Sequence, residues 1–158
     1  MRPPASHRKA IAMNRRTSLL LLATVATGSA GAATKPAVAV HKNPWCGCCG
    51  AWAAALRKAG YQITLHDSDD LVPLKKSLGI PDKLQGCHTA LVEGYYVEGH
   101  VPLEAIARLL KERPAIAGLA VPGMPEGSLG MGSDADASYD VFAVSQDGSA
   151  TIYQHVGR

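Results

Sequence analysis

The alternation and periodicity of apolar residues divide the middle of the chain into seven predicted elements. In chain order they are a buried strand at 36–41, an alanine-rich helix from Cys46 to Gly60, a strand at 61–67, a short helix within 68–80, strands at 88–94 and 95–100, and an amphipathic helix from Pro102 to Pro114. Strand positions alternate or form short β-branched runs, whereas helical positions follow a three-to-four residue period. The predicted order is therefore βαβαββα, an α/β domain.

The C-terminal part has a different pattern. Residues 115–138 are rich in glycine, proline, alanine and serine, with two methionines, and predict a long loop. Residues 139–156 alternate on both sides of Asp147-Gly148, which is a strong signal for a β-hairpin. We expect this hairpin to pair with an edge of the main sheet.

The first 32 residues predict a secretory signal peptide. A basic segment precedes an apolar run that ends in small residues, so we expect cleavage near Ala32 and a single mature domain over 33–158. The apolar run at 19–26 is far shorter than the ~20 residues of a membrane-spanning helix. We therefore expect export to the periplasm without stable membrane insertion.

Removal of this segment changes the charge of the protein. The whole chain has 16 basic and 13 acidic residues, and five of the basic residues lie in 1–32, where there is no acidic one. The mature domain thus has eleven basic and thirteen acidic residues, a formal charge of −2. This balance gives no support to nucleic acid as a partner.

Four cysteines carry the most specific signal in the sequence. Cys46, Cys48 and Cys49 stand within four positions at the first strand-to-helix turn, and Cys87 precedes the third strand. A βαβαββα order with cysteines at this turn is the arrangement of the thioredoxin fold. In that fold the third strand lies beside the first, so we expect Cys87 to approach Cys46 and the four thiols to converge.

The cysteine motif departs from that of thioredoxins at two places. "WCGCCG" resembles their Trp-Cys-Gly-Pro-Cys site, with Cys46 and Cys49 as the redox pair and Cys48 in place of proline. Where thioredoxins have a cis-proline, this chain reads "GCHT", with His88 at the proline position after Cys87. Both changes add groups that can bind metal.

The thiol set favours copper. Thiolates select Cu(I), zinc or iron–sulfur clusters, and adjacent Cys48 and Cys49 are difficult to combine on one tetrahedral zinc ion. Bridging thiolates suit several Cu(I) ions. Zinc, a [2Fe–2S] centre and a pair of disulfides remain alternatives, and a Cys46–Cys49 disulfide is the expected oxidised form.

Other side chains are weaker candidates for this site. His88 is a candidate ligand because it adjoins Cys87, and Met124 and Met131 in the predicted loop are candidate thioether ligands. We expect Trp45 to pack beside the cysteine turn. His100, just before Pro102, is expected to cap the last helix.

Three stretches resemble the periplasmic copper-resistance proteins of the CopG type. They are "NPWCGCCGAWAAALRKAGY", "GIPDKLQGCHTALVEGYYVEGHVPLEAIARLLKERP" and "GLAVPGMPEGSLGM", which together cover most of 38–131. The resemblance implies a thioredoxin-like fold, and copper binding by the C-x-C-C cysteines with the distal one, here Cys46, Cys48, Cys49 and Cys87. It also implies a redox role in periplasmic copper handling, with other copper-handling proteins of that compartment as partners.

A second function fits the same residues. A thiol–disulfide oxidoreductase acting on exported proteins would use Cys46 to attack and Cys49 to resolve the mixed disulfide. The absence of a proline before the third strand weakens this alternative.

Overall fold

A seven-stranded sheet with helices on both faces forms the fold. The computed structural model describes residues 34–157, so the predicted signal peptide lies outside the described residues. The elements are β1 (Ala37–Lys42), α1 (Gly47–Lys58), β2 (Gln62–Asp67), α2 (Val72–Ser77), a 3-10 turn (Asp82–Leu84), β3 (His88–Val92), β4 (Tyr95–Glu98), α3 (Leu103–Glu112), β5 (Gly118–Ala120), β6 (Tyr139–Val144) and β7 (Ala150–Val156). Along residues 34–157, no helix combines the length and apolarity needed to cross a membrane.

The strand order confirms the predicted thioredoxin-like core. The strands lie in the order β2-β1-β3-β4-β5-β6-β7. β1 pairs in parallel with β2 and antiparallel with β3, and β3 pairs antiparallel with β4. The first seven elements thus follow the order βαβαββα, and β3 lies beside β1 as expected.

The main core lies between the sheet and helices α1 and α3. Val38 and Val40 of β1 alternate with less buried residues and pack in one apolar cluster with Leu56 of α1 and Leu109 of α3. Trp52 of α1 is fully buried in this cluster, and its indole N–H donates to the carbonyl of Val101 at 2.9 Å. Burial of these side chains fixes the orientation of α1, the helix that begins at the cysteine motif.

The predicted loop at 115–138 contains a strand that the pattern did not reveal. β5 pairs in parallel with β4 and antiparallel with β6. The predicted hairpin of β6 and β7 therefore joins the sheet through β5. A three-residue strand in a segment rich in glycine and proline has no periodicity of its own, and its formation depends on hydrogen bonds to distant strands.

The segment after β5 returns to the cysteine helix. Gly130 has a φ of +90°, and a Cβ atom at this position would lie 2.8 Å from the carbonyl oxygen of Cys48 and 2.8 Å from the amide nitrogen of Trp52. Only glycine allows this backbone to approach α1 so closely. The loop is thus packed directly behind the cysteine motif.

We predict that Gly130→Ala destabilises the fold by about 2–3 kcal/mol, because it adds both a clash with α1 and a strained φ. Gly132 is the matched control, since its φ is +94° and no atom lies within 4 Å of a Cβ there. Gly132→Ala should cost only about 1 kcal/mol. Urea unfolding measures the free energy of unfolding of both variants. Equal losses of stability would show that the close contact of Gly130 with α1 does not contribute to stability.

Candidate metal centre

The turn before the cysteine motif is fixed by a buried lysine. The Lys42 ammonium donates to the carbonyl oxygens of Asn43 at 3.2 Å and Pro44 at 3.4 Å, and it pairs with Asp67 at 2.9 Å. Trp45 follows in this turn and is 88% exposed, so the prediction that it packs beside the cysteines was wrong. Its amide donates to the Asn43 side chain at 2.9 Å, and the turn leaves the indole in solvent.

The first three cysteines lie at the N-terminus of α1. Cys46 is the N-cap residue, and its sulfur accepts a hydrogen bond from the amide of Cys49 at 3.4 Å. Cys46 and Cys49 form a disulfide, the expected oxidised form, while Cys48 and Cys87 are free thiols. The free amides and the dipole of a helix N-terminus stabilise thiolate there, so the position suits both redox chemistry and metal binding.

Cys87, the residue just before β3, completes the cluster. Its sulfur lies 3.4 Å from that of Cys49 and 4.0 Å from that of Cys48, and the sulfurs of Cys48 and Cys46 are 3.5 Å apart. All four sulfurs lie within 4.8 Å of one another. The predicted convergence of the four thiols is confirmed, and they could hold a metal ion.

Metal-free Cys87 is protonated at neutral pH. Burial, followed by the neighbouring Cys48, raises the pKa of the Cys87 thiol to about 12. A metal must displace this proton in order to bind the sulfur as thiolate, so metal binding here releases protons.

His100 belongs to the site, and the prediction that it caps α3 was wrong. Pro102 is the N-cap residue of that helix and makes no side-chain capping bond. Instead His100 is fully buried, and its Nε2 lies 3.0 Å from the Cys87 sulfur. Its Nδ1 lies 2.7 Å from the carbonyl oxygen of Leu129, which can only accept a hydrogen bond. Nδ1–H therefore donates to this carbonyl, which directs Nε2 to the thiols; in the neutral tautomer Nε2 presents a lone pair to them.

His88 lies at the edge of the same cluster. Its Nδ1 is 3.4 Å from the Cys87 sulfur, and its ring stacks at a tilt on Trp52 with centroids 4.5 Å apart. Burial, together with the charges of His100 and Lys75, lowers the pKa of His88 to about 3, so the ring is neutral. Within residues 34–157 its buried Nε2 has no hydrogen-bond partner. Cys87, His88 and His100 thus form a second group that could hold a metal ion.

Comparison with known proteins assigns the family. A family model described as "Protein of unknown function, DUF411" matches residues 84–131, and no curated protein matches the chain. The solved structure of copper resistance protein CopG, Form 1, is 37% identical, with a TM-score of 0.73 over 78% of this chain and 100% of that one. The chain belongs to the CopG family of copper resistance proteins. Form 2 of CopG gives the same identity and TM-score over 77% of this chain and 98% of that one.

The family-model match includes the two methionines that were candidate ligands. Met124 is 55% exposed; it follows Gly123, whose amide donates to the carbonyl of Gln85 at 3.1 Å. Met131 is half-buried and follows Gly130. The CopG-family fold thus places both near segments that carry cysteines, and thioether ligation by either residue stays a prediction.

A buried ion pair supports the segment around Cys87 from the face of the sheet opposite α1. Glu98 of β4 is fully buried; it pairs with Lys75 of α2 and accepts hydrogen bonds from the amide of Gly86 at 2.8 Å and the hydroxyl of Thr89 at 2.6 Å. Burial raises the pKa of Glu98, and these donors oppose the shift. The pattern of the sequence did not reveal this network, which holds the residues on both sides of Cys87.

We predict that Lys75→Met destabilises this CopG-family protein by about 3–5 kcal/mol, because it leaves the Glu98 carboxyl buried without its charged partner. Lys76→Met is the matched control, since Lys76 is the next residue of α2 and is exposed. The control should stay within about 0.5 kcal/mol of the parent protein in urea unfolding. Equal effects of the two substitutions would contradict the role given to the ion pair.

Proposed function

We propose that this protein binds more than one Cu(I) ion through Cys46, Cys48, Cys49 and Cys87, and thereby contributes to copper resistance. The observation that carries the proposal is the convergence of four sulfurs within 4.8 Å in a member of the CopG family. Thiolates are the ligands that Cu(I) prefers, and a thiolate can bridge two metal ions. Copper is the cargo of the site.

The arrangement of the ligands favours several ions over one. Cys87 belongs to two candidate groups, one with the other three cysteines and one with His88 and His100. Adjacent Cys48 and Cys49 point in different directions from a helix, so they suit different ions better than a single one. A shared sulfur between two groups supports a multinuclear cluster with the histidines as additional candidate ligands.

The Cys46–Cys49 disulfide supports a redox role in the same site. Formation of this bond from two thiolates releases two electrons, which would reduce two Cu(II) ions to two Cu(I) ions. A dithiol reductant would then restore the two thiols. The disulfide form holds only two free cysteines, Cys48 and Cys87, so oxidation would also weaken Cu(I) retention.

We also propose that the protein acts outside the cytoplasm, in the periplasm, after removal of residues 1–32 as a signal peptide. The basic and apolar character of this segment supports export. A disulfide in the mature domain is compatible with an oxidising compartment.

Anaerobic titration of the reduced protein with Cu(I), against a competing chelator, tests the copper proposal. We expect more than one tightly bound Cu(I) per chain, and no more than one after Cys48→Ser, because one of the four thiolates that hold the ions is lost. The Cys48→Ser, Cys87→Ser double variant, which keeps only the Cys46 and Cys49 thiols, should bind Cu(I) more weakly than the parent protein. A single Cu(I) in the parent protein, or undiminished binding in the double variant, would contradict the proposal; circular dichroism confirms that the variants are folded.

The disulfide favours a second candidate function, a thiol–disulfide oxidoreductase that uses Cys46 and Cys49. Insulin reduction distinguishes the two functions. Under the copper proposal the parent protein has little turnover, and Cys48→Pro, which restores the thioredoxin-like motif, increases turnover while it lowers the copper stoichiometry. Rapid turnover by the parent protein that needs only Cys46 and Cys49, with poor copper binding, would favour the oxidoreductase.

A further inference from the structure

Two histidines outside the thiol cluster lie side by side near the end of β1 and β2. His41 and His66 are register partners on these parallel strands, so their side chains leave the same face of the sheet. Their rings are 4.7 Å apart between centroids and only 14° from parallel. His41 follows Val40, which packs with residues of α1 in the apolar cluster, so the pair lies on the opposite face of the sheet.

Both rings are available to a ligand. His66 is exposed and His41 is half-buried, and within residues 34–157 no hydrogen bond to either imidazole is present. By contrast, His100 is bonded to Leu129 and His155 to Asp140. Burial and the adjacent His66 lower the pKa of His41, which favours its neutral, ligating form.

We propose that His41 and His66 form a bidentate site for a divalent transition-metal ion, with Cu(II) bound most tightly. Imidazole nitrogens suit Cu(II), nickel and zinc, and Cu(II) forms the strongest complexes in this series. The two strands fix the spacing of the side chains, and rotation about their side-chain bonds can direct one nitrogen of each ring to a common ion. The remaining coordination positions would be open to water.

This site differs in chemistry from the thiol cluster and does not depend on the copper proposal made for it. The cysteines provide soft sulfur ligands suited to Cu(I), whereas the histidine pair provides only nitrogen ligands on an exposed surface. The competing interpretation is a stacked cross-strand pair with a purely structural role. That role predicts no specific metal binding.

Electron paramagnetic resonance with Cu(II) as the probe tests the proposal. The measurement uses the Cys48→Ser, Cys87→Ser background with the Cys46–Cys49 disulfide kept, so that free thiols do not compete for or reduce the ion. We expect one Cu(II) per chain, with electron spin-echo modulation from two equatorial imidazoles. His41→Gln or His66→Gln should leave one imidazole and weaken binding about a hundredfold, because the second ligand no longer binds intramolecularly.

His155→Gln is the control, since His155 is also on the surface but is bonded to Asp140. It should leave the affinity and the two-imidazole signal unchanged. A single-imidazole signal in the parent protein, or equal weakening by His155→Gln and His66→Gln, would overturn the proposal and indicate only adventitious binding. Because His66 is exposed on an edge strand, His66→Gln should also leave Cu(I) binding by the reduced protein with all four cysteines intact, which separates this test from that of the cluster.

Discussion

The antiparallel pairing of β3 with β1 on one side and with β4 on the other determines where the ligand groups of the thiol cluster lie. Pairing with β1 brings the start of β3, and so Cys87, to the end of β1 where the cysteine turn begins. Pairing with β4 matches Thr89 with Glu98, and just beyond this pair the two chains bring His100 Nε2 to 3.0 Å from the Cys87 sulfur. Two ladders of backbone hydrogen bonds thus assemble groups that are far apart in sequence.

This arrangement buries polar groups. Hydrogen bonds and an ion pair from the surrounding structure offset the cost of removing them from water. Glu98, beneath Cys87, is paired with Lys75 and bonded to Gly86 and Thr89. His100 is bonded through Nδ1 to a backbone carbonyl. A hydrogen bond from the second ring nitrogen to a fixed acceptor sets the tautomer and orientation of the imidazole. Among the described residues, His88 is the buried histidine that retains a nitrogen without a partner, at the border of a group of sulfur and nitrogen atoms.

Local patterns were sufficient to predict the core elements and the thiol cluster. Period and alternation gave the helices α1 and α3 and the strands β1 to β4, and the chain order placed β3 beside β1. The sequence pattern did not predict β5, because this strand depends on pairing with strands that are distant in sequence. The role of His100 was also not predicted, although the sequence contained a signal for it. The turn at Glu93-Gly94 is two residues long, so Val92 pairs with Tyr95. Counting away from the turn along both strands then sets position 87 against position 100. Burial of Lys75 against Glu98 had no such signal, since charged residues on a short helix usually face solvent.

The two metal-binding proposals divide the chemistry of the protein by the softness of its ligands. Sulfur atoms at the start of α1 and β3 suit Cu(I), and the nitrogen pair at the ends of β1 and β2 suits Cu(II). The thiol cluster is the central claim. X-ray absorption at the copper edge, on reduced protein loaded with Cu(I), tests it most directly. We predict a first shell dominated by sulfur together with a short copper–copper distance, as bridging by Cys87 and Cys48 requires. Isolated copper ions, with no copper–copper scattering at full loading, would contradict the account.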